Sequence, residues 1–258
     1  MELTNNTILI TGGTSGFGLE FATRLSAMGN TVIITGRDQS KLDLTKTKLP
    51  GIHTFQSDVS DPGEISALFE KVSSQFPTLN ILINNAGEMR KISLHDTSLD
   101  LENITREIEI NLMGPIRMIR QFLPLLKTQK TAAIMNVTSG IAVAPFPISP
   151  IYGASKSGLR SYTQSLRVQL KNTHVKVFEL IAPAAKTPLG DKFNDLEGFD
   201  EKMLMDPVKL IDVALKGLKN DTLEIYPGMA KAMKLLSRVA PKLLLNQMSK
   251  PGAKFMAG

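Results

Sequence analysis

The chain contains no cysteine. Disulfides and thiolate chemistry are therefore excluded, and the composition suits a reducing cytoplasm. Histidine is nearly as scarce. His53, His95 and His174 are scattered, with no metal-ligand spacing, so no metal is expected. No apolar run approaches the roughly 18 to 20 residues of a membrane span. The N-terminus, Met1-Glu-Leu-Thr-Asn-Asn-Thr7, is polar and leads straight into a short strand, which argues against a signal peptide. Basic residues outnumber acidic ones 30 to 24, a net charge of +6. They form no long run, and nucleic acid is not an expected partner.

What is present is an ordinary globular composition, 42 % hydrophobic and 21 % charged over 258 residues. That length suits one large domain, 1–258. Strand patterns are read at Thr7–Thr11, Thr31–Thr35, Ile52–Ser57, Asn80–Asn84, Thr131–Thr138, Val175–Ile181 and Leu223–Ile225. Helical periodicity runs over Gly18–Met28, Asp38–Leu49, Asp61–Phe76, Leu101–Leu126, Ile151–Lys171 and Pro207–Leu218, with an irregularity at Gly114-Pro115. Strands alternating with helices predict a doubly wound parallel α/β sheet, covered on both faces. After Pro183 the alternation becomes irregular.

Two stretches carry chemistry. Tyr152 and Lys156 stand four residues apart, which puts a phenol and an ammonium on one helix face. A free tyrosine has a pKa of about 10, and a neighbouring ammonium is expected to lower it towards the working range of an acid–base catalyst. The same spacing also describes a plain amphipathic surface. Thr11-Gly12-Gly13-Thr14-Ser15-Gly16-Phe17-Gly18 joins the first strand to the first helix. Gly12 permits a tight turn, Gly16 lets the backbone approach a pyrophosphate, and Gly18 allows close helix–strand packing.

This loop resembles the Thr-Gly-x-x-x-Gly-x-Gly signature of the short-chain dehydrogenase/reductase family. Four more motifs follow in the family's order: Asn84-Asn85-Ala86-Gly87, Asn111, Ser139 at 13 residues before Tyr152, and the Tyr152/Lys156 pair. The resemblance runs from about Thr7 to Thr187. Within the family, Asn30–Arg37 and Asn84–Arg90 are similar to a bacterial branch named for genes of teichoic-acid D-alanylation, a name that implies no substrate. The resemblance implies a Rossmann-type fold and a nicotinamide dinucleotide cofactor held by Gly12, Thr14, Ser15, Gly16, Phe17, Gly18, Arg37, Asp58, Val59, Asn85, Ala86, Gly87, Tyr152, Lys156, Pro183 and Thr187. It implies a catalytic tetrad of Asn111, Ser139, Tyr152 and Lys156. Tyr152 is the general acid or base, Ser139 hydrogen-bonds the carbonyl oxygen, Lys156 lowers the tyrosine pKa and holds the ribose, and Asn111 holds a water of a proton relay. Thr187 matches a position that contacts the nicotinamide carboxamide.

Gly36 stands where an NAD-preferring member commonly has Asp, and Arg37 can pair with a 2′-phosphate, so NADP is expected over NAD. Asp38 opposes this if its charge turns inward. Asp58 is expected at the adenine amino group, or alternatively as a helix cap, a role open to Asp61. Three departures from the family pattern stand out: Phe17 for a small aliphatic residue, Glu88 for an apolar one, and Ala184 for glycine.

The loop Gly140–Pro150 and the segment Pro188–Met205, within a substrate-side portion 188–258, are expected to frame the substrate. Ile141, Phe146, Ile148, Leu189, Phe193, Met203 and Met205 suggest an apolar carbonyl or alcohol, with Lys186, Thr187 and Lys192 as polar handles. A low-turnover cofactor-sensing or scaffold protein is the alternative function. A homodimer or homotetramer is expected, paired through the helices carrying Asn111 and Tyr152. Over Met229–Leu244, Lys231, Lys234, Arg238 and Lys242 form one basic helical stripe. Met233, Leu236, Val239, Ala240 and Leu243 lie opposite, and Pro241 kinks or ends the helix. Such a helix packs on its own domain, covers the active site or a neighbouring subunit, or lies on an anionic membrane.

Overall fold

β1 (Thr7–Thr11) is a run of aliphatic and threonine residues, buried over its whole length. Successive side chains in a strand point to opposite faces, so Ile8 and Ile10 enter one core and Leu9 the other. β2 (Thr31–Gly36), β4 (Leu79–Asn84), β5 (Ala132–Ser139) and β6 (Val175–Ala182) repeat this, with β3 (His53–Gln56) and the short β7 (Glu224–Ile225) at the edges. The computed structural model describes residues 1–196 and 204–256. Among them the sheet is parallel throughout, in the order β3-β2-β1-β4-β5-β6-β7. This is the doubly wound α/β architecture the alternation predicts.

One face is covered by α1 (Gly16–Ala27), α2 (Gln39–Lys48) and α7 (Pro207–Lys219), through Phe21, Leu25, Leu42, Leu210 and Ile211. The other is covered by α3 (Pro62–Gln75), α5 (Gly114–Thr128) and α6 (Pro150–Gln169), through Ile65, Leu68, Met118, Phe122 and Leu166. Aspartates start four helices: Asp38, Asp61, Asp100 and Asp206 accept from first-turn N–H groups of α2, α3, α4 (Leu101–Ile108) and α7. α1 differs, because its cap Ser15 makes no side-chain bond.

The long helix expected over Leu101–Leu126 is interrupted by a π turn, Glu109–Met113, between α4 and α5. Pro115 has no N–H to give the carbonyl of Asn111 four residues back, which disfavours a regular α-helix through this point. The C-terminal helix read over Met229–Leu244 ends before Pro241, as expected, and a second helix follows. Ala240 (φ −143, ψ 57) leaves the helical region before Pro241 and separates α8 (Ala230–Val239) from α9 (Pro241–Met248); a short α10 (Ala253–Met256) follows. The expected stripe is also revised. Lys234 turns inward, 3.0 Å from Glu224 and over the Tyr226 ring, while Val239 and Leu243 face solvent. Met203 falls in 197–203, outside the described residues.

Candidate active site

A cleft of about 600 Å³ opens past the C-terminal ends of β1, β4 and β5, beside the point where strand order reverses between β1 and β4. At one end lies the glycine loop. Gly12 has φ +66, and a Cβ there would lie 2.9 Å from the Ala86 backbone, so the turn closes only without a side chain. Thr11 holds the facing segment, its hydroxyl accepting from Asn85 N and Ala86 N at 3.0 Å each. The side chain of Asn85 donates to Thr11 O and Gly12 O at 3.0 and 3.1 Å. Thr14, Ser15, Gly16, Phe17, Gly87, Pro183 and Thr187 line the same cleft, with Thr187 leaning over Gly16. Gly18 does not line it. Gly18 sits beneath the loop, where a Cβ would fall 2.2 Å from Gly12 O, and its role is packing.

At the β2 end, Arg37 is half-exposed, with Nη1 3.9 Å from Asp58 Oδ2. Asp38 caps α2 by accepting from Lys41 N at 3.1 Å and also lines the cleft, with its other oxygen 3.9 Å from Lys41 Nζ. Asp61 caps α3 and frees Asp58 from that duty; Asp58 accepts instead from Ser60 N and Oγ. Val59 lies alongside.

α6 carries Tyr152 and Lys156 one turn apart, both buried, with the Lys156 ammonium 5.7 Å from the Tyr152 ring centre. Lys156 Nζ donates to Val137 O at 2.9 Å. Ser139, at the end of β5, lies against the Tyr152 phenol and favours its ionisation, but burial outweighs it and pushes the phenol up to about 12. Burial pushes the Lys156 ammonium down to about 8. The tyrosine pKa is thus raised, against the expected lowering by Lys156. The ammonium is engaged by a backbone carbonyl below the ring, and low dielectric disfavours both charges.

Asn111 lies outside the cleft wall, wholly buried in the π turn. Its Oδ1 accepts from Glu88 N at 2.8 Å, and its Nδ2 donates to Glu88 O at 2.8 Å and Ser155 Oγ at 3.1 Å. Asn111 Oδ1 and Lys156 Nζ both border the space beside Gly87, 3.2 and 3.6 Å from where a Cβ there would lie. Glu88, the polar departure after Asn-Asn-Ala-Gly, turns its carboxylate away to Arg106 at 3.0 Å. Ala184 lines the cleft, and its carbonyl accepts from Met205 N at 2.9 Å.

A model of the family described as short chain dehydrogenase matches residues 6–198. The chain belongs to the short-chain dehydrogenase family. Among relatives of this dehydrogenase, the uncharacterized oxidoreductase DltE of Bacillus subtilis is 39 % identical over 249 residues, covering 96 % of this chain and 98 % of that protein. Sulfoacetaldehyde reductase 2 of Chromohalobacter salexigens is 32 % identical over 70 % of this chain and 73 % of its own. In fold the dehydrogenase is similar to a Burkholderia cenocepacia short chain dehydrogenase in complex with NADP (TM-score 0.82, 22 % identity, 96 % of this chain and 99 % of that one). It is also similar to the 3-ketoacyl-(acyl-carrier-protein) reductase of Brucella melitensis complexed with NADH (TM-score 0.76, 27 % identity, 84 % and 91 %).

The far end of the dehydrogenase's cleft is apolar. Ile141, Phe146, Leu189 and Phe193 line it as expected, and Ile148 packs behind them with Met89 and Tyr152. Met205 instead packs on the α1/α7 core, tied to Ala184 by backbone pairing, and Lys186 and Lys192 stay off the cleft wall. Met229 and Met233 reach this wall too, so the Met229–Leu244 segment covers the site, one of the alternatives its sequence left open; Met248 and Pro251, from beyond that segment, were not anticipated. Sequence reading also missed Glu107, wholly buried, whose Oε1 accepts from Arg90 N at 2.9 Å. Glu107 stands one helical turn before Asn111, a spacing that places both on one face and was a usable signal.

Proposed function

We propose that the protein is an NADP-linked oxidoreductase that reduces the carbonyl group of a largely apolar small molecule, or oxidises the corresponding alcohol. One observation supports this above the others: a single cleft runs from a glycine loop at an uncapped helix N-terminus to a buried phenol under an apolar wall. The near end suits a dinucleotide. The α1 N-terminus offers N–H groups and partial positive charge to a pyrophosphate, and Arg37, with Lys41 beside it, offers cations to a 2′-phosphate. Asp58 and Val59 suit the adenine, and Pro183 and Thr187 the nicotinamide end.

A bound nicotinamide supplies hydride chemistry; the chain supplies position and the proton. In the reductive direction Tyr152 Oη gives its proton to the substrate oxygen, and Ser139 Oγ donates a hydrogen bond where negative charge develops. Lys156, anchored on Val137 O, would hold the ribose of a bound cofactor. Asn111 keeps the Glu88 backbone in place, and the space beside Gly87 that its Oδ1 shares with Lys156 Nζ is a suitable seat for a relay water. Met89, Phe146 and Phe193 exclude solvent from the reacting oxygen.

A turnover screen tests the reading: NADPH and NADH absorbance is followed with a panel of apolar ketones and aldehydes, and with NADP and NAD on the matching alcohols. NADPH-dependent reduction of at least one carbonyl is expected. Tight cofactor binding with no turnover on any of them would overturn it in favour of a cofactor-sensing protein.

A further inference from the structure

The C-terminal helices present a second feature, independent of the oxidoreductase reading. From Pro227 onward the last 32 residues hold six Lys and Arg and no Asp or Glu, leaving 24 basic against 24 acidic elsewhere. The chain's whole net charge of +6 therefore sits in this segment. Six of the fourteen exposed large hydrophobic side chains described fall there too, Leu235, Val239 and Leu243 among them at 62, 68 and 54 % exposure.

The two sets share one face. α8 is seated by its inner side: Met233 packs on Gly140, and Lys234 binds Glu224 at 3.0 Å beneath Tyr226. That leaves Lys231, Leu235, Arg238 and Val239 on the outer side, continued by Lys242 and Leu243 at the start of α9. Among the described residues Lys231, Arg238 and Lys242 enter no ion pair. A face contacting only water gains nothing from leucine and valine set among cations. An anionic bilayer interface accommodates both, apolar groups at the acyl boundary and cations at the phosphates. A second copy suits the face poorly. A two-fold dimer built on this face brings the segment against itself, which sets cations on cations with no carboxylate in the segment to offset them.

We propose that the outer face of α8 and α9, built from Lys231, Leu235, Arg238, Val239, Lys242 and Leu243, docks on an anionic lipid surface. The inner sides of the same helices carry Met229, Met233 and Met248 on the cleft wall, so the docked face lies beside the cleft mouth.

The test is sedimentation of the full chain with phosphatidylcholine vesicles, with and without phosphatidylglycerol, at low and high salt. The protein is expected to sediment with the anionic vesicles at low salt, to ignore the neutral ones, and to be released by salt. Arg238→Glu/Lys242→Glu is expected to weaken this binding by more than about tenfold, since basic residues near an anionic surface act additively. Leu235→Ser/Val239→Ser, which leaves the charge unaltered, is expected to weaken it as well. Thermal melts check that the variants fold, and the parent protein decides the matter if one does not. Absence of sedimentation with anionic vesicles at low salt overturns the proposal. So does binding that both folded variants retain in full, or a fall in light-scattering mass in the variants when the parent ignores vesicles, which assigns the face to a second copy.

Discussion

Tyr152 and Lys156 are buried side by side, and burial moves their pKa values in opposite directions, to about 12 and about 8. At neutral pH the phenol therefore holds its proton, the form a reduction needs, and the lysine is the group that titrates within reach of an assay. For Lys156 the folded value lies below the unfolded one, so over roughly pH 8 to 10.5 the folded chain binds fewer protons and this group's contribution to stability rises with pH. In the folded chain its ammonium is lost as pH passes about 8. The KM for NADPH is accordingly expected to climb as pH passes about 8, while kcat for reduction keeps its acid. A kcat that falls there with KM unchanged would assign the titration to Tyr152 instead. Tyr152→Phe removes the proton while leaving ring packing nearly unaltered, and is expected to lower kcat by about 10²–10⁴-fold with NADPH binding retained in a fluorescence titration. Arg37 is the residue on which the proposed preference for NADP rests. Arg37→Ala is expected to weaken NADPH by about tenfold to a hundredfold, the worth of a charged hydrogen bond at roughly 1.5–3 kcal/mol, and to spare NADH. Equal losses for the two cofactors refute the assignment.

At the scale of elements, the turn from β1 into α1 is the most constrained piece of the site. Gly18 sets the distance between helix and loop, because any side chain there meets the Gly12 carbonyl. Gly18→Ala is expected to cost about 1–3 kcal/mol, as overpacking does. A lowered melting temperature together with weakened cofactor binding checks it; an unchanged melting temperature counts against the packing role. Most elements were legible as patterns: five buried strands read as apolar runs, and Asp38, Asp61 and Asp206 stand at the helix starts they cap. The π turn at Glu109–Met113 was not. Gly114-Pro115 announced an irregularity, but its form depends on how Asn111 is drawn onto the Glu88 backbone, a contact across 23 residues.

For the whole molecule, the solvent side of α5 keeps Leu112 and Met113 of the π turn, with Ile116 and Leu123, only half-buried in a single chain. We expect this helix and α6 to pair across a two-fold axis, giving a dimer or tetramer in light scattering at micromolar concentration. A single monomeric mass refutes it.

The sequence by itself determined the family and the sheet, because these rest on local signals: apolar periodicity, and glycines where a strand meets a helix. Only the tertiary structure decided the electrostatics and surroundings of the charged and titratable side chains. The spacing of Tyr152 and Lys156 suggests an ammonium easing the phenol's ionisation; Val137 O and the low dielectric around both make burial the larger effect. The sequence stripe from Lys231 to Lys242 suggests four cations on one face. Glu224 and Tyr226, held at the sheet edge, draw Lys234 inward and turn Val239 and Leu243 out. Burial and long-range pairing arise from chain segments far apart in sequence, which no local pattern encodes.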